Sequence, residues 1–134
     1  MERPLSNTAN GLRVTVDRLV HQPDVLTSPD RPHCFAYHIT SHNDGDEQVT
    51  IRGRKWVVTE ASGEVTAVEG DGVVGEFPTI SPGDHFSYNS FHVIRSNRAM
   101  AEGSYLGINE NGAPVVVRIP PFELVVPESE IGYC

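Results

Sequence analysis

The chain is short of several things, and each shortage removes a class of protein. It has two cysteines, Cys34 and Cys134, too few for a disulfide framework. Cys34 falls in an apolar strand pattern and Cys134 ends a polar tail, so two free thiols are expected rather than a bridge. A reducing, cytoplasmic setting follows from that expectation. No apolar run approaches the roughly 20 residues of a membrane span. The opening Met1-Glu2-Arg3-Pro4-Leu5-Ser6-Asn7 has neither the basic flank nor the apolar stretch of an export signal, so none is expected. Positive charge is scarce: 10 cations, Lys55 being the only lysine, face 18 carboxylates, for a net charge of −8. A field of that sign repels phosphate backbones and anionic lipid, which argues against nucleic acid and membranes as partners.

What the chain does have is β-branched residues. Valine and isoleucine outnumber alanine and leucine nearly two to one, and 12 glycines and 10 prolines are spread along 134 residues. That composition favours many short strands joined by turns over helices. Residues 1–11 are polar and aperiodic and read as a mobile arm, residues 12–127 as one domain, and 128–134 as a tail. Alternation predicts strands over Leu12–His21, His33–His42, Gln48–Glu60, Glu64–Val68, Asp84–His92 and Gly103–Ile108, with one more after Asn109-Glu110-Asn111-Gly112. Residues 70–83 read as loop, and a short helix within 95–101 stays open. Asn43-Asp44-Gly45-Asp46 and Ala61-Ser62-Gly63 carry hairpin-turn chemistry. Seven to eight short antiparallel strands with such spacing make an all-β sandwich.

Two breaks of parity are informative. Val49 and Ile51 are odd-numbered, whereas Trp56 and Val58 are even-numbered. Strand side chains alternate with period two, so an extra residue must be absorbed within Arg52-Gly53-Arg54-Lys55. Val115, Val117 and Ile119 are odd and Phe122, Leu124 and Val126 even, with Pro120-Pro121 between. Proline cannot serve a central ladder, so that strand bends there or changes sheet.

The search for chemistry yields few candidates. Gly70-Asp71-Gly72-Val73-Val74-Gly75 matches the letters of a dinucleotide fingerprint, but Glu76-Phe77-Pro78 follows where the phosphate-binding helix should start. Two readings remain: a glycine-rich loop against another backbone, and a polyphosphate site held by loop amides. The six histidines are scattered, and His38 and His42, on one strand face, stand about 13 Å apart along the backbone, too far to share one ion. Asp44-Gly45-Asp46-Glu47 is acidic, but Val49 and Lys55 stand where a calcium loop needs glycine and glutamate. No G-x-S-x-G elbow or reactive-cysteine context is present. Arg52, Arg54 and Lys55 gather three of the ten cations within four residues, as a solvated strand face or as a contact for an anionic partner. Trp56 reads as core.

The runs Phe35-Ala36-Tyr37-His38-Ile39-Thr40, Arg54-Lys55-Trp56-Val57-Val58-Thr59, Gly70–Pro78, Ser81-Pro82-Gly83, Gly103-Ser104-Tyr105 and Ile119-Pro120-Pro121-Phe122-Glu123-Leu124 resemble the ApaG family, also called CorD, over about residues 12–127. The resemblance implies a fibronectin type III-like, immunoglobulin-like sandwich. It also implies a role in protein interaction, since the same domain is appended to eukaryotic F-box proteins. The family's proposed links to cobalt and magnesium tolerance and to diadenosine tetraphosphate imply a second candidate role, in binding nucleotides or divalent cations. It supplies no catalytic residues to carry over. Ser41 stands where the family commonly has an apolar residue, and the family's cysteine of the 90–95 region is absent.

The expectation is therefore a non-enzymatic binding module that meets a protein partner through loops or a sheet edge, as a monomer or weak homodimer. The alternative is a sensor of polyphosphate nucleotides or Mg²⁺ and Co²⁺ using Gly70, Asp71, Gly72, Gly75 and Glu76 with Arg52, Arg54 and Lys55. No cofactor or resident metal is expected.

Overall fold

A computed structural model describes residues 8–9 and 11–128. Nine strand segments occur among them: β1 Thr8–Ala9, β2 Leu12–His21, β3 His33–Asn43, β4 Val49–Glu60, β5 Val65–Asp71, β6 Thr79–Ile80, β7 His85–Ile94, β8 Arg98–Asn109 and β9 Pro114–Val125. All pairings are antiparallel, in the orders β1-β2-β3-β7 and β5-β4-β8-β9, with β6 pairing β4 beside the β5 ladder. The fold is thus an all-β sandwich with the strand order of a fibronectin type III domain. Leu12, Val14, Phe35, Tyr37 and Ile39 of one sheet pack on Ile51, Trp56, Val58, Tyr105, Val117 and Leu124 of the other.

Both parity breaks are real. The β4–β8 register shifts between Ile51 and Gly53, which leaves Arg52 as the extra residue and turns Val49, Ile51, Trp56, Val58 and Glu60 all inward, where they are buried. Across from Ala101–Gly103 the β8–β9 register skips Pro120 and Pro121. β9 does not change sheet there. It lies at the end of its sheet, where a proline's missing donor leaves no central ladder bond unmade. A third bulge, between Val16 and Arg18, lets both Val16 and Leu19 pack on the core.

Four expectations need correction. Asn43–Asp46 does turn the chain, with the Gly45 amide donating to Asn43 Oδ1 at 3.0 Å, but it is not a hairpin. Both edges of β3 are taken by β2 and β7, so the chain crosses to the opposite sheet. Asn43 Nδ2 anchors that crossing by donating to Glu47 O at 2.7 Å and Ile80 O at 2.8 Å. No helix forms in 95–101, because β8 begins at Arg98. Residues 70–83 hold the end of β5, a bridge between Val73 and Glu76, and β6. Within the expected arm, Thr8 and Ala9 pair with Arg13 and Leu12, while residues 1–7 and 10 lie outside the described residues. So do 129–134, including Cys134. Cys34 is a free, buried thiol, and burial pushes its pKa up.

The two sheets approach each other closely at β2 and β9. On the other flank, β7 and β5 end their respective sheets, each with no strand paired to its outer edge among the described residues. The sandwich is closed on one side and open on the other.

Candidate functional site

The bulge at Arg52 decides what the glycine segment meets. Beyond it the even-numbered residues of β4 face inward, so Arg54 does too, directly opposite Gly70 on β5. A Cβ at Gly70 would lie 2.8–2.9 Å from the Arg54 guanidinium, so the guanidinium occupies the space over that glycine. Arg54 Nη1 donates to Asp71 O at 3.0 Å and Gly72 O at 3.3 Å. Gly72 N donates to Arg52 O at 2.8 Å. Gly72 has φ +64°, and a Cβ there would run into the Glu76 carbonyl. Val73 and Glu76 exchange backbone hydrogen bonds of 2.7 and 3.0 Å around Val74 (φ 50°) and Gly75 (φ 78°). Positive φ at both central positions makes this a type I′ turn. Its base, Val73, is fully buried.

Arg52, Arg54, Lys55, Gly70 and Asp71, five of the eight candidate residues, border one shallow concavity of about 1000 Å³, with Phe77, Leu106 and Val116 as its apolar floor. Gly72 is buried beside it, and Gly75 and Glu76 are exposed at the turn. The cations are partly committed. Lys55 Nζ lies 3.6 Å from a Glu69 carboxylate oxygen, and the Arg52 guanidinium sits 5.9 Å from the centre of the Phe77 ring. A phosphate cradle needs free amides, yet those of Gly72, Val73 and Glu76 are bonded within the protein. The carboxylates of Glu69 and Asp71 also line the concavity.

A second site lies on the open flank, most of it outside the residues singled out from the sequence. A groove of about 330 Å³ runs between the free edges of β5 and β7, with Tyr37, Trp56 and His92 at its base and Val68, Phe91 and Val93 at its mouth. The Tyr37 and His92 rings stack with centroids 4.7 Å apart, and Trp56 meets His92 edge-on at 4.6 Å. Trp56 is only 3 % exposed, as expected of core. However, Trp56 Nε1 and His92 Nε2 are buried without a hydrogen-bond partner among the described residues. Burial holds the His92 pKa down at about 4, so its imidazole is neutral at pH 7. The benzo edge of Trp56 faces β8, since a Cβ at Gly103 would lie 2.8 Å from Cε3. Trp56 also lines the groove. The signal available in the sequence was that β7 is apolar on both parities: Phe86, Tyr88 and Ile94 face in, while Phe91 and Val93 face out and are exposed.

Elsewhere the polar side chains are engaged structurally. Glu60, buried, accepts from the Arg95 and Ser96 amides at 2.9 and 2.6 Å and from Arg31 at 3.2 Å. Among the described residues no three His, Cys, Asp or Glu side chains gather as metal ligands, and no helix is long and apolar enough to cross a membrane.

Fold and sites together define a small fibronectin type III-like domain that offers a loop-bordered concavity and an open sheet edge. The sequence profile of the ApaG domain matches residues 24–109. Protein ApaG of Shewanella frigidimarina is 40% identical over 125 residues, covering 92% of this chain and 97% of that protein. Protein ApaG of Escherichia coli K12 is 41% identical over 105 residues, covering 78% and 84%. A crystal structure of a putative ApaA protein from Bordetella pertussis superposes with a TM-score of 0.79 at 30% identity, covering 93% of this chain and 99% of that one. The chain belongs to the ApaG domain family.

Proposed function

We propose that this domain is a non-catalytic binding module that holds another protein along its open edge. The observation that supports this most is the pair of free strand edges, β5 and β7, standing over one groove with Val68, Phe91 and Val93 exposed at its mouth. A free edge carries a row of unpaired backbone groups and templates another strand unless something blunts it. β7 has no proline, lysine or bulge that would do so. Strand addition takes affinity from the backbone and specificity from side-chain pockets. The test is a photoreactive side chain at Val93 in bacterial extract, compared with one at Glu123 on the opposite flank. Cross-linking of a protein at 93 but not at 123, lost in Phe91→Arg, is expected. Equal labelling at both positions, or none, would overturn the reading.

A second reading, a sensor of polyphosphate nucleotides or divalent cations, draws support from Arg52, Arg54 and Lys55 all bordering the concavity beside the glycine segment. The committed amides and neighbouring carboxylates weigh against it. Titrating diadenosine tetraphosphate, then Mg²⁺ and Co²⁺, into the protein while recording amide spectra decides it. Saturable shifts confined to 52–55 and 70–76 would favour the sensor, and unmoved spectra would remove it.

A further inference from the structure

We infer that the groove on the open flank is a specificity pocket for an extended peptide carrying a carboxylate two residues from an apolar side chain. This rests on the reading that a partner strand lies along the β5–β7 flank, and it adds the chemistry of that strand.

Charge is the first feature of the groove. In a chain of net charge −8, the groove is lined by two arginines and no carboxylate. The two differ. Arg31 is already neutralised, with Glu60 at 3.2 Å and Glu64 at 3.3 Å. Arg54 has no carboxylate partner among the described residues. Only its Nη1 is engaged, on two carbonyl oxygens of the glycine segment. Those bonds fix the guanidinium in place, and its Nε and Nη2 donate to nothing among the described residues. A pre-positioned, unneutralised guanidinium at the end of an apolar groove is complementary to a carboxylate, which it can take bidentately.

The second term is spacing. Arg54, Trp56 and Val58 project inward from β4 on alternate residues, so each stands about 7 Å from the next along the strand. A strand added to the edge of β7 has the same period. If one inward side chain meets Arg54, the next, two residues along, comes to the aromatic base formed by Tyr37, Trp56 and His92. Apolar or aromatic side chains fit that wall.

The third term is the pair of orphaned polar atoms. An indole N–H can only donate, and left buried without an acceptor it costs roughly 1–3 kcal/mol. A peptide carbonyl brought in at the groove would meet it. The walls can part to admit one, because the edges of β5 and β7 are not bonded to each other.

The experiment is selection of a phage-displayed random dodecapeptide library on the intact protein. Synthetic forms of the enriched peptides are then titrated into ¹⁵N-labelled protein. Enriched sequences carrying Asp or Glu two positions from an apolar residue are expected, with shifts at 66–70 and 90–93. The indole N–H of Trp56, the only tryptophan, should move downfield. Replacing the peptide's carboxylate by its amide should weaken binding about tenfold or more, an effect that needs no protein variant. Arg54→Gln should erase the difference between acid and amide forms, with the dispersion of its own spectrum reporting whether the 70–76 segment survives. Peptides that map to this flank but bind equally as acid and amide would overturn the pocket's chemistry and leave the edge reading standing. No enriched peptide, or shifts confined to the concavity at Phe77 and Leu106, would overturn both.

Discussion

Val74 is the only residue other than glycine with positive φ among those described, at 50°. A β-branched side chain is poorly suited to the left-handed region, where an L-residue pays roughly 1–2 kcal/mol. Its side chain is 57 % exposed, so little packing would be lost by replacing it. Asparagine favours the first central position of a type I′ turn. Val74→Asn should therefore stabilise the domain by about 1 kcal/mol, read as a higher denaturation midpoint in urea at unchanged slope. The neighbouring Gly72→Ala should do the opposite. Its methyl must displace the Glu76 carbonyl and adopt positive φ, a cost of about 2 kcal/mol or more. Two further residues contribute to the pH dependence. His92 titrates at about 4 when folded, because burial disfavours its charged form, and near 6.5 when unfolded. Below pH 6.5 the unfolded state binds the proton first, so stability present at neutral pH is lost as pH falls toward 4. The loss amounts to roughly 3 kcal/mol at about 1.4 kcal/mol per pKa unit. His92→Phe should flatten that part of the profile. Glu60 acts lower. Its burial alone would raise its pKa, but the Ser96 and Arg95 amides outweigh that and hold it below the usual carboxylate range. Its contribution is complete above about pH 4.5 and disappears as pH falls through the lowered value. A wild-type profile that is flat from pH 6.5 to 4.5 would show that His92 is solvated in the folded state.

At the scale of the strand, one residue governs both the core and the candidate sites. Arg52 is the extra residue of β4, and its side chain is exposed. Removing only that side chain, as in Arg52→Ala, should change stability by less than about 1 kcal/mol. Deleting the residue would put Val49 and Ile51 out of phase with Trp56 and Val58. Exposing one buried pair costs about 3–6 kcal/mol at about 1.5–3 per side chain, enough to unfold a marginal domain. Circular dichroism of the two variants, one folded and one not, checks this. The bulge was legible in the sequence because parity is a local, periodic signal, and the same holds for the register change at Pro120-Pro121. The fate of Asn43–Asp46 was not. Turn chemistry reports the local backbone, whereas a hairpin also requires that the preceding strand have a free edge, and β7, far along the chain, occupies the edge of β3. The concavity was half legible. Arg54 pairs with Gly70 and Lys55 with Glu69, and Arg52 O accepts from Gly72 N, because the Ala61-Ser62-Gly63 hairpin folds 65–71 back on 53–59. Parity places Arg54 inward with Trp56 and Val58; what it could not tell is that Arg54 spends Nη1 on the Asp71 and Gly72 carbonyls. The groove left only the doubly apolar character of β7 as a signal, since Tyr37, Trp56 and His92 come from three strands in two sheets.

For the molecule as a whole, the asymmetry of its two flanks has an energetic consequence. On the closed flank β2 and β9 lie against each other. On the open flank β5 is held by β4 alone, and five of its seven residues are exposed. An element with little buried apolar surface opens locally at a fraction of the global unfolding free energy. The central strands β3, β4 and β8 each have neighbours on both sides and contribute half of the buried core residues. Native-state hydrogen exchange should therefore separate two classes of amide. Those of β3, β4 and β8 that point into the ladders should exchange only through global unfolding. Those of β5 bonded to β4 should exchange on the order of a hundredfold faster or more, because a few kcal/mol less is needed to expose them. Uniform protection across β4 and β5 would mean the hairpin unfolds only with the whole domain. In that case the groove would be a rigid cleft, not one whose wall can move. A partner strand seated on the flank would give β7 the neighbour it lacks and cover the groove face of β5. The same measurement with a bound peptide should then slow exchange at 66–70 and 90–93 while leaving β9 unchanged. Protection that instead rises evenly over both flanks would report general stabilisation by mass action, without a strand at the edge.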